Sequence, residues 1–194
     1  MKKRANIVID VQESFRRSPL WEAVSDPRIV QKVGELVEGA RAKGEPVVWV
    51  LHSEEGSGTP FDPELGFVRL MDGLEPAEGE PVLVKSAHNA FTTTRLQQLL
   101  TSWGIGEVTV SGIRTEQCCE TTARVASDLG FEVLFVTEAT ATHPLAHPEA
   151  PAGRSVAELL ADPRTLPAGE VIRRTEYALS GRFARLVTVK EAVA

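Results

Sequence analysis

The sequence predicts a three-layer α/β/α fold on a doubly wound, mainly parallel sheet of about six strands. Three observations carry that expectation. Short, β-branched apolar runs recur along the chain, segments with a helical period lie between them, and the connections are short and marked by Gly, Pro or Asp. Parallel strands require crossovers, and right-handed helical crossovers supply them. Nothing in 194 residues with 42% hydrophobic content demands a second domain, so residues 1–194 are read as one.

Residues 5–11 (ANIVIDV) form the first strand, apolar almost throughout as for a strand buried on both faces, with Asp10 interrupting it near its end. Residues 12–19 are polar and read as a loop carrying Phe15. Asp26-Pro27 starts a helix, Asp26 as N-cap and Pro27 at its first position, and Ile29, Val30, Val33, Val37 and Ala40 keep the period as far as Gly44. Residues 46–51 (PVVWVL) are the second strand, ending at His52. Residues 53–63 are a loop, and 67–74 fit neither period. Residues 81–84 (PVLV) are the third strand, ended by Lys85, and residues 92–103 are a helix stopped by Gly104. Val108-Thr109-Val110 is the fourth strand, bounded by Gly112. A helix then runs to Gly130 with Thr115 as N-cap and Glu116 in its first turn. Residues 131–136 (FEVLFV) are the fifth strand, 138–153 a loop, 154–160 and 175–185 helices, and 186–189 the sixth strand.

Composition narrows the function classes. The net charge of −6 is interspersed along the chain, with no basic patch, so nucleic acid is not an expected partner. No apolar stretch is long enough to span a bilayer, the N-terminal segment is not a signal peptide, and two adjacent cysteines make no disulfide framework. A cytoplasmic, reducing location is the expectation.

Those two cysteines, Cys118 and Cys119, are the only ones in the chain and sit where a strand turns into a helix. Unpaired N–H groups in a first helical turn favour an anion, so a thiol there is expected to ionise more readily than usual. The plain alternative is a small buried hydrophobe. Cys118, Thr122, Val125 and Leu129 share the stripe expected to pack on the sheet, and Cys119 lies about a quarter turn away beside Ala123 and Ala126. Spacing favours Cys118 and leaves Cys119 as the alternative. Asp10, Lys85 and Cys118 each follow a different predicted strand at its carboxyl end, where ligand crevices of such sheets lie.

Residues 7–15 (IVIDVQESF), 84–96 (VKSAHNAFTTTRL) and 111–123 (SGIRTEQCCETTA), in this order, resemble the isochorismatase-like cysteine hydrolases, the superfamily that includes nicotinamidase and N-carbamoylsarcosine amidase. The resemblance runs to about residue 140 and implies a Rossmann-like hydrolase fold with an Asp-Lys-Cys triad: Asp10 as general base, Lys85 as the lysine, Cys118 as nucleophile. It further implies a cis peptide between Ile113 and Arg114 and an oxyanion hole formed by the backbone N–H groups of Arg114 and Cys118. The chemistry is coherent. A carboxylate in a partly dry pocket has a raised pKa and can take the thiol proton, and an adjacent lysine orients it and stabilises the thiolate as it forms.

The departures carry information too. Nicotinamidases place an aspartate two residues before the histidine that ends the second strand, to bind a metal; here the histidine is His52 and that position is Val50, so no metal and no other cofactor is expected. His143 and His147 have ligand-like spacing but no supporting carboxylate or cysteine cluster. Asn89 stands where the family often has serine. From their places beside the triad, Phe15, His52, His88, Phe91 and Arg114 are the expected substrate-binding side chains, with core packing the alternative for Phe15 and Phe91. Arg114 is read as binding a substrate carboxylate or reaching solvent. Tyr177, with Arg173 and Arg174, is placed in a C-terminal lid or beside a neighbouring subunit. The expected activity is metal-independent hydrolysis of the C–N bond of a small amide or ureido compound through a thioester, in a homo-oligomer, dimer or tetramer, as relatives commonly form. Two alternatives are vinyl-ether hydrolysis of the isochorismatase type and a catalytically idle binding member of the fold. A dinucleotide site is weakest, because no G-x-G-x-x-G follows the first strand.

Overall fold

The computed structural model describes residues 2–194. Six parallel strands form its sheet in the order β3-β2-β1-β4-β5-β6. They are β1 (Lys3–Ile9), β2 (Val47–His52), β3 (Val82–Lys85), β4 (Ile105–Ile113), β5 (Glu132–Ala141) and β6 (Arg185–Leu186). Strand order reverses between β1 and β4, and the crevice outside their carboxyl ends is the usual ligand position of a doubly wound sheet.

Alternate residues feed two apolar layers, as the period of two requires. Ile7, Ile9, Val48 and Val50 pack under α3 (Leu96–Ser102) and α4 (Glu120–Asp128). Val8, Val47 and Trp49 pack under α2 (Ile29–Ala42) and α7 (Val189–Val193). The chain also forms α1 (Glu13–Arg16), α5 (Val156–Ala161) and α6 (Ala168–Leu179). Among the described residues no helix is long and apolar enough to cross a membrane.

Several boundaries differ from the sequence reading for identifiable reasons. The polar loop at 12–19 contains α1 and leads into a 3-10 turn, Pro19–Ala23. Asp26 accepts from the backbone N–H of Arg28 at 2.9 Å, so its turn precedes α2, whose own cap position is Arg28. β5 continues into the expected loop because Thr140 and Ala141 pair with Gly112 and Ile113. The helix expected over 175–185 is α6, displaced toward the N-terminus, and the closing strand is two residues long, followed by α7 with its capping box at Thr188.

Candidate active site

Asp10 leaves β1 with φ of +52°, the one positive value at a non-glycine among the described residues. Its N–H donates to Val50 O and its carbonyl accepts from the Gln12 N–H, both at 2.8 Å, so the chain reverses tightly at this carboxylate. The left-handed region costs an L-residue on the order of 1–3 kcal/mol, a signature of functional positions. Lys85 is the last residue of β3. Cys118 sits in a π-helical turn, Thr115–Cys119, closed by Cys119 N–H on Arg114 O at 3.1 Å. Such turns within helices are frequent at functional sites.

These three buried side chains meet. Lys85 Nζ lies 2.8 Å from Asp10 Oδ2 and donates to Cys118 Sγ at 3.4 Å. Lys85 is the cation that faces Asp10, and the carboxylate keeps further lone pairs able to accept a proton. Lys85 Nζ also lies 3.2 Å from His52 Nδ1. An ammonium only donates, so His52 Nδ1 accepts and the ring proton falls on Nε2, 3.3 Å from Glu54 Oε1.

Burial raises the Asp10 pKa, against the opposing pull of Lys85. Burial, reinforced by the Asp10 charge, pushes the Cys118 thiol up to about 12. This corrects the expectation of a readily ionised thiol: desolvation and a neighbouring carboxylate outweigh the helix terminus and Lys85. Cys118 therefore rests as a thiol. Burial and the Lys85 charge hold His52 below its usual range.

A cavity of about 190 Å³ opens on the thiol and is lined by Asp10, Phe15, His52, His88, Arg114 and Cys118 among the residues expected there. Phe91 is not among them. It is a core residue whose ring stacks on Phe131 at 6.2 Å, because Ala90 N–H is anchored to Thr122 Oγ1 and the loop turns its aromatic onto the sheet. Arg114 neither reaches solvent nor stands free: its Nη2 is 2.5 Å from Glu116 Oε1, both side chains largely buried. Thr115 is not an N-cap, since its hydroxyl donates to Thr140 Oγ1. The expected helix stripe is also displaced. Cys119, Thr122, Ala123 and Ala126 are the buried face, whereas Val125 is half-buried and Leu129 exposed. Cys118 thus reaches the cavity because it lies off the stripe that packs on the sheet.

Sequence reasoning missed much of the wall. Leu20, Trp21 and Val24 come from the 3-10 turn and its exit, Phe61 from the loop after β2, and Thr142 and His143 from the end of β5. The last two carried a signal, since they too follow a strand at its carboxyl end. Gln12 clamps the site from beneath: its amide donates to His52 O at 3.0 Å and accepts from His52 N–H at 2.7 Å. Tyr177, Arg173 and Arg174 line a separate, larger groove of about 860 Å³ along α6, which contains neither Asp10, Lys85 nor Cys118. The Ile113–Arg114 peptide is cis. Among the described residues no three His, Cys, Asp or Glu side chains cluster as metal ligands.

A doubly wound α/β fold with a thiol cavity where its strand order reverses is of the Rossmann-like α/β class, and the family match makes it a hydrolase. The chain belongs to the isochorismatase family: the Isochorismatase domain model matches residues 4–167. It is 34% identical over 177 residues to streptothricin hydrolase of Streptomyces noursei, covering 91% of this chain and 65% of that protein, so it spans slightly less than two thirds of that relative. It is 33% identical over 158 residues to nicotinamidase 3 of Arabidopsis thaliana, covering 73% and 74% of the two chains. A solved isochorismatase-family structure from Chromobacterium violaceum superposes with a TM-score of 0.86 at 25% identity, covering 98% of this chain and 92% of its own.

Proposed function

We propose that this chain is a metal-independent cysteine hydrolase that cleaves the C–N bond of a small amide or ureido compound through a thioester. The observation that carries the reading is the meeting of Asp10, Lys85 and Cys118, from three strand ends, with Lys85 Nζ 2.8 Å from the carboxylate and 3.4 Å from the sulfur. A nicotinamidase among the relatives supports an amide substrate.

Asp10, its carboxyl already made more basic by burial, takes the Cys118 proton as sulfur attacks the carbonyl carbon. The C–S bond forms and the carbonyl π electrons move to oxygen. Lys85 stabilises the negative charge on sulfur in the transition state, and the backbone N–H groups of Arg114 and Cys118 hold the oxyanion. Collapse breaks the C–N bond, with Asp10 returning its proton to the leaving nitrogen. A water then attacks the thioester, Asp10 accepts a proton from it, and the acid departs as the proton returns to sulfur.

Exposure to pooled small amides is expected to leave an acyl mass increment on the Cys118 peptide and to release ammonia or amine. Cys118→Ala is expected to lose at least about 10³-fold in turnover with its melting temperature little changed. Full turnover by that variant would remove covalent thiol chemistry and favour the vinyl-ether reaction. No increment and no release from any amide would favour a binding role.

A further inference from the structure

The cavity has two buried cations in its surroundings, and each already faces a carboxylate as an ion pair. Lys85 faces Asp10 at 2.8 Å, and Arg114, the one guanidinium lining the cavity, faces Glu116 at 2.5 Å. The remaining contact of the Arg114 head is its Nε with Thr142 Oγ1 at 3.5 Å. Burial holds His52 and His143 below their usual range, which leaves both imidazoles uncharged at neutral pH, and Glu54 adds a further carboxylate to the lining. His88 presents the only other imidazole. A substrate carboxylate entering here would lose its hydration without gaining a free cation.

Beside the polar Ser18, Gln117 and Thr142, the rest of the wall is apolar. Phe15, Leu20, Trp21, Val24, Phe61 and Ile113 surround the space, with Phe15 and Phe61 fixed edge to face at 5.0 Å. At about 190 Å³ the cavity holds the volume of roughly six waters and lies below the about 300–1,000 Å³ of drug-sized sites.

We propose that this site selects uncharged amides with a small aromatic or aliphatic body over amides that carry a carboxylate, and that the Arg114–Glu116 ion pair sets this preference by occupying the guanidinium. The inference deepens the function proposed above and shares its assignment of Cys118 as the reacting thiol. Selectivity of this kind is a difference of two affinities, and the repulsive half is here supplied by leaving a second anion without a partner.

Two alkylating agents test the charge preference without requiring turnover. Iodoacetamide and iodoacetate deliver the same carbon to sulfur with loss of iodide, and differ in bearing an amide or a carboxylate. Labelling of Cys118 is followed by peptide mass spectrometry, and each rate is divided by that of glutathione under the same conditions. The normalised preference for iodoacetamide is expected to be at least about tenfold, and Glu116→Gln, which releases the guanidinium, is expected to bring it within about threefold of unity. Arg114→Gln removes the cation instead and is expected to keep or strengthen the preference; it also serves if Glu116→Gln does not fold. A wild-type ratio near unity or favouring iodoacetate overturns the inference. Retention of the full preference in Glu116→Gln, or its collapse in Arg114→Gln, overturns the role of the pair. If the preference holds but no amide is hydrolysed or acylates Cys118, the hydrolytic proposal fails while the charge selection stands.

Discussion

At the scale of single residues, the site is governed by what burial does to Asp10 and Cys118 on either side of Lys85. Lys85 Nζ has acceptors at 2.8 Å on Asp10, 3.2 Å on His52 and 3.4 Å on Cys118, and an ammonium has three protons to offer them. Those contacts hold the thiol and the Asp10 carboxylate on either side of one charge. In the proposed reaction Asp10 must be ionised to accept the thiol proton, so activity should rise with pH through its pKa. Burial raises that value and Lys85 lowers it, with burial the larger. The acid limb of kcat/KM is therefore expected above the ordinary aspartate range. Lys85→Gln removes the opposing influence, and the limb should move to higher pH, by roughly one to three pH units, with a loss of about 10²-fold or more at the plateau. A limb that stays in place in this variant would mean Lys85 does not act through Asp10. The identity of the three groups was legible in the sequence because each follows a strand. The charge state of the sulfur was not, because helix position is a local property whereas desolvation depends on everything packed around Cys118. For Arg114 only the solvent-reaching alternative fails, for the same reason: its partner lies two residues on, but the burial of both side chains shows that the pair faces inward.

Elements were legible where a residue pattern decides them and obscure where tertiary pairing does. The β-branched runs of β1, β2 and β4 announced themselves, and Gly44, Gly104 and Gly130 marked helix ends by adopting positive φ. α3 begins four residues later than its sequence suggests because the preceding threonines spend their hydroxyls on turns. Thr93 Oγ1 accepts from Ser86 and Ala87, Thr94 Oγ1 accepts from Leu96, and Thr92 bonds Asn89. Asn89, which stands where the family often has serine, is occupied in that same turn. Gly112 is the element-scale feature with the sharpest consequence. It has φ of +130°, sits at the register shift of β4 on β5, and a Cβ there would lie 1.8 Å from Ile9 O. β1 and β4 carry Asp10 and the Cys118 turn, so forcing them apart strikes the site as well as the sheet. Gly112→Ala is expected to cost more than about 4 kcal/mol or to prevent folding. Gly104→Ala, with φ of +68° and open space around its Cβ, should cost only about 1 kcal/mol. Equal melting temperatures for the two variants would refute the close-approach argument.

Across the whole molecule, one sheet edge carries the chemistry and the opposite edge carries closure of the fold. Asp10, Lys85 and Cys118 lie at the carboxyl ends of β1 and β3 and just beyond β4, the place the topological rule points to, whereas their roles came from the family resemblance. The cavity wall was less accessible to reading, because Trp21 and Phe61 come from connections whose course no periodicity fixes. The final helix was missed altogether; five residues are too few for a periodic signal, and its stability comes from packing rather than propensity. α7 lies on α2, where a Cβ on Gly39 would come within 2.4 Å of the Val193 side chain, and Ala192 O accepts from Arg4 Nη2 at 2.9 Å near the opening of β1. Val189 and Ala192 are buried there. Removing residues 189–194 would uncover this part of α2 and is expected to cost about 2–4 kcal/mol, a fall in Tm of roughly 4–16 °C. Because these contacts lie toward the edge remote from Cys118, kcat/KM per folded molecule should stay within about twofold of the intact chain below the transition. Comparing calorimetry with active-site titration on one preparation separates the two quantities. A kinetic loss in molecules that remain folded would show that α7 reaches the site through α2 and β1, and that the two edges of the sheet are not independent.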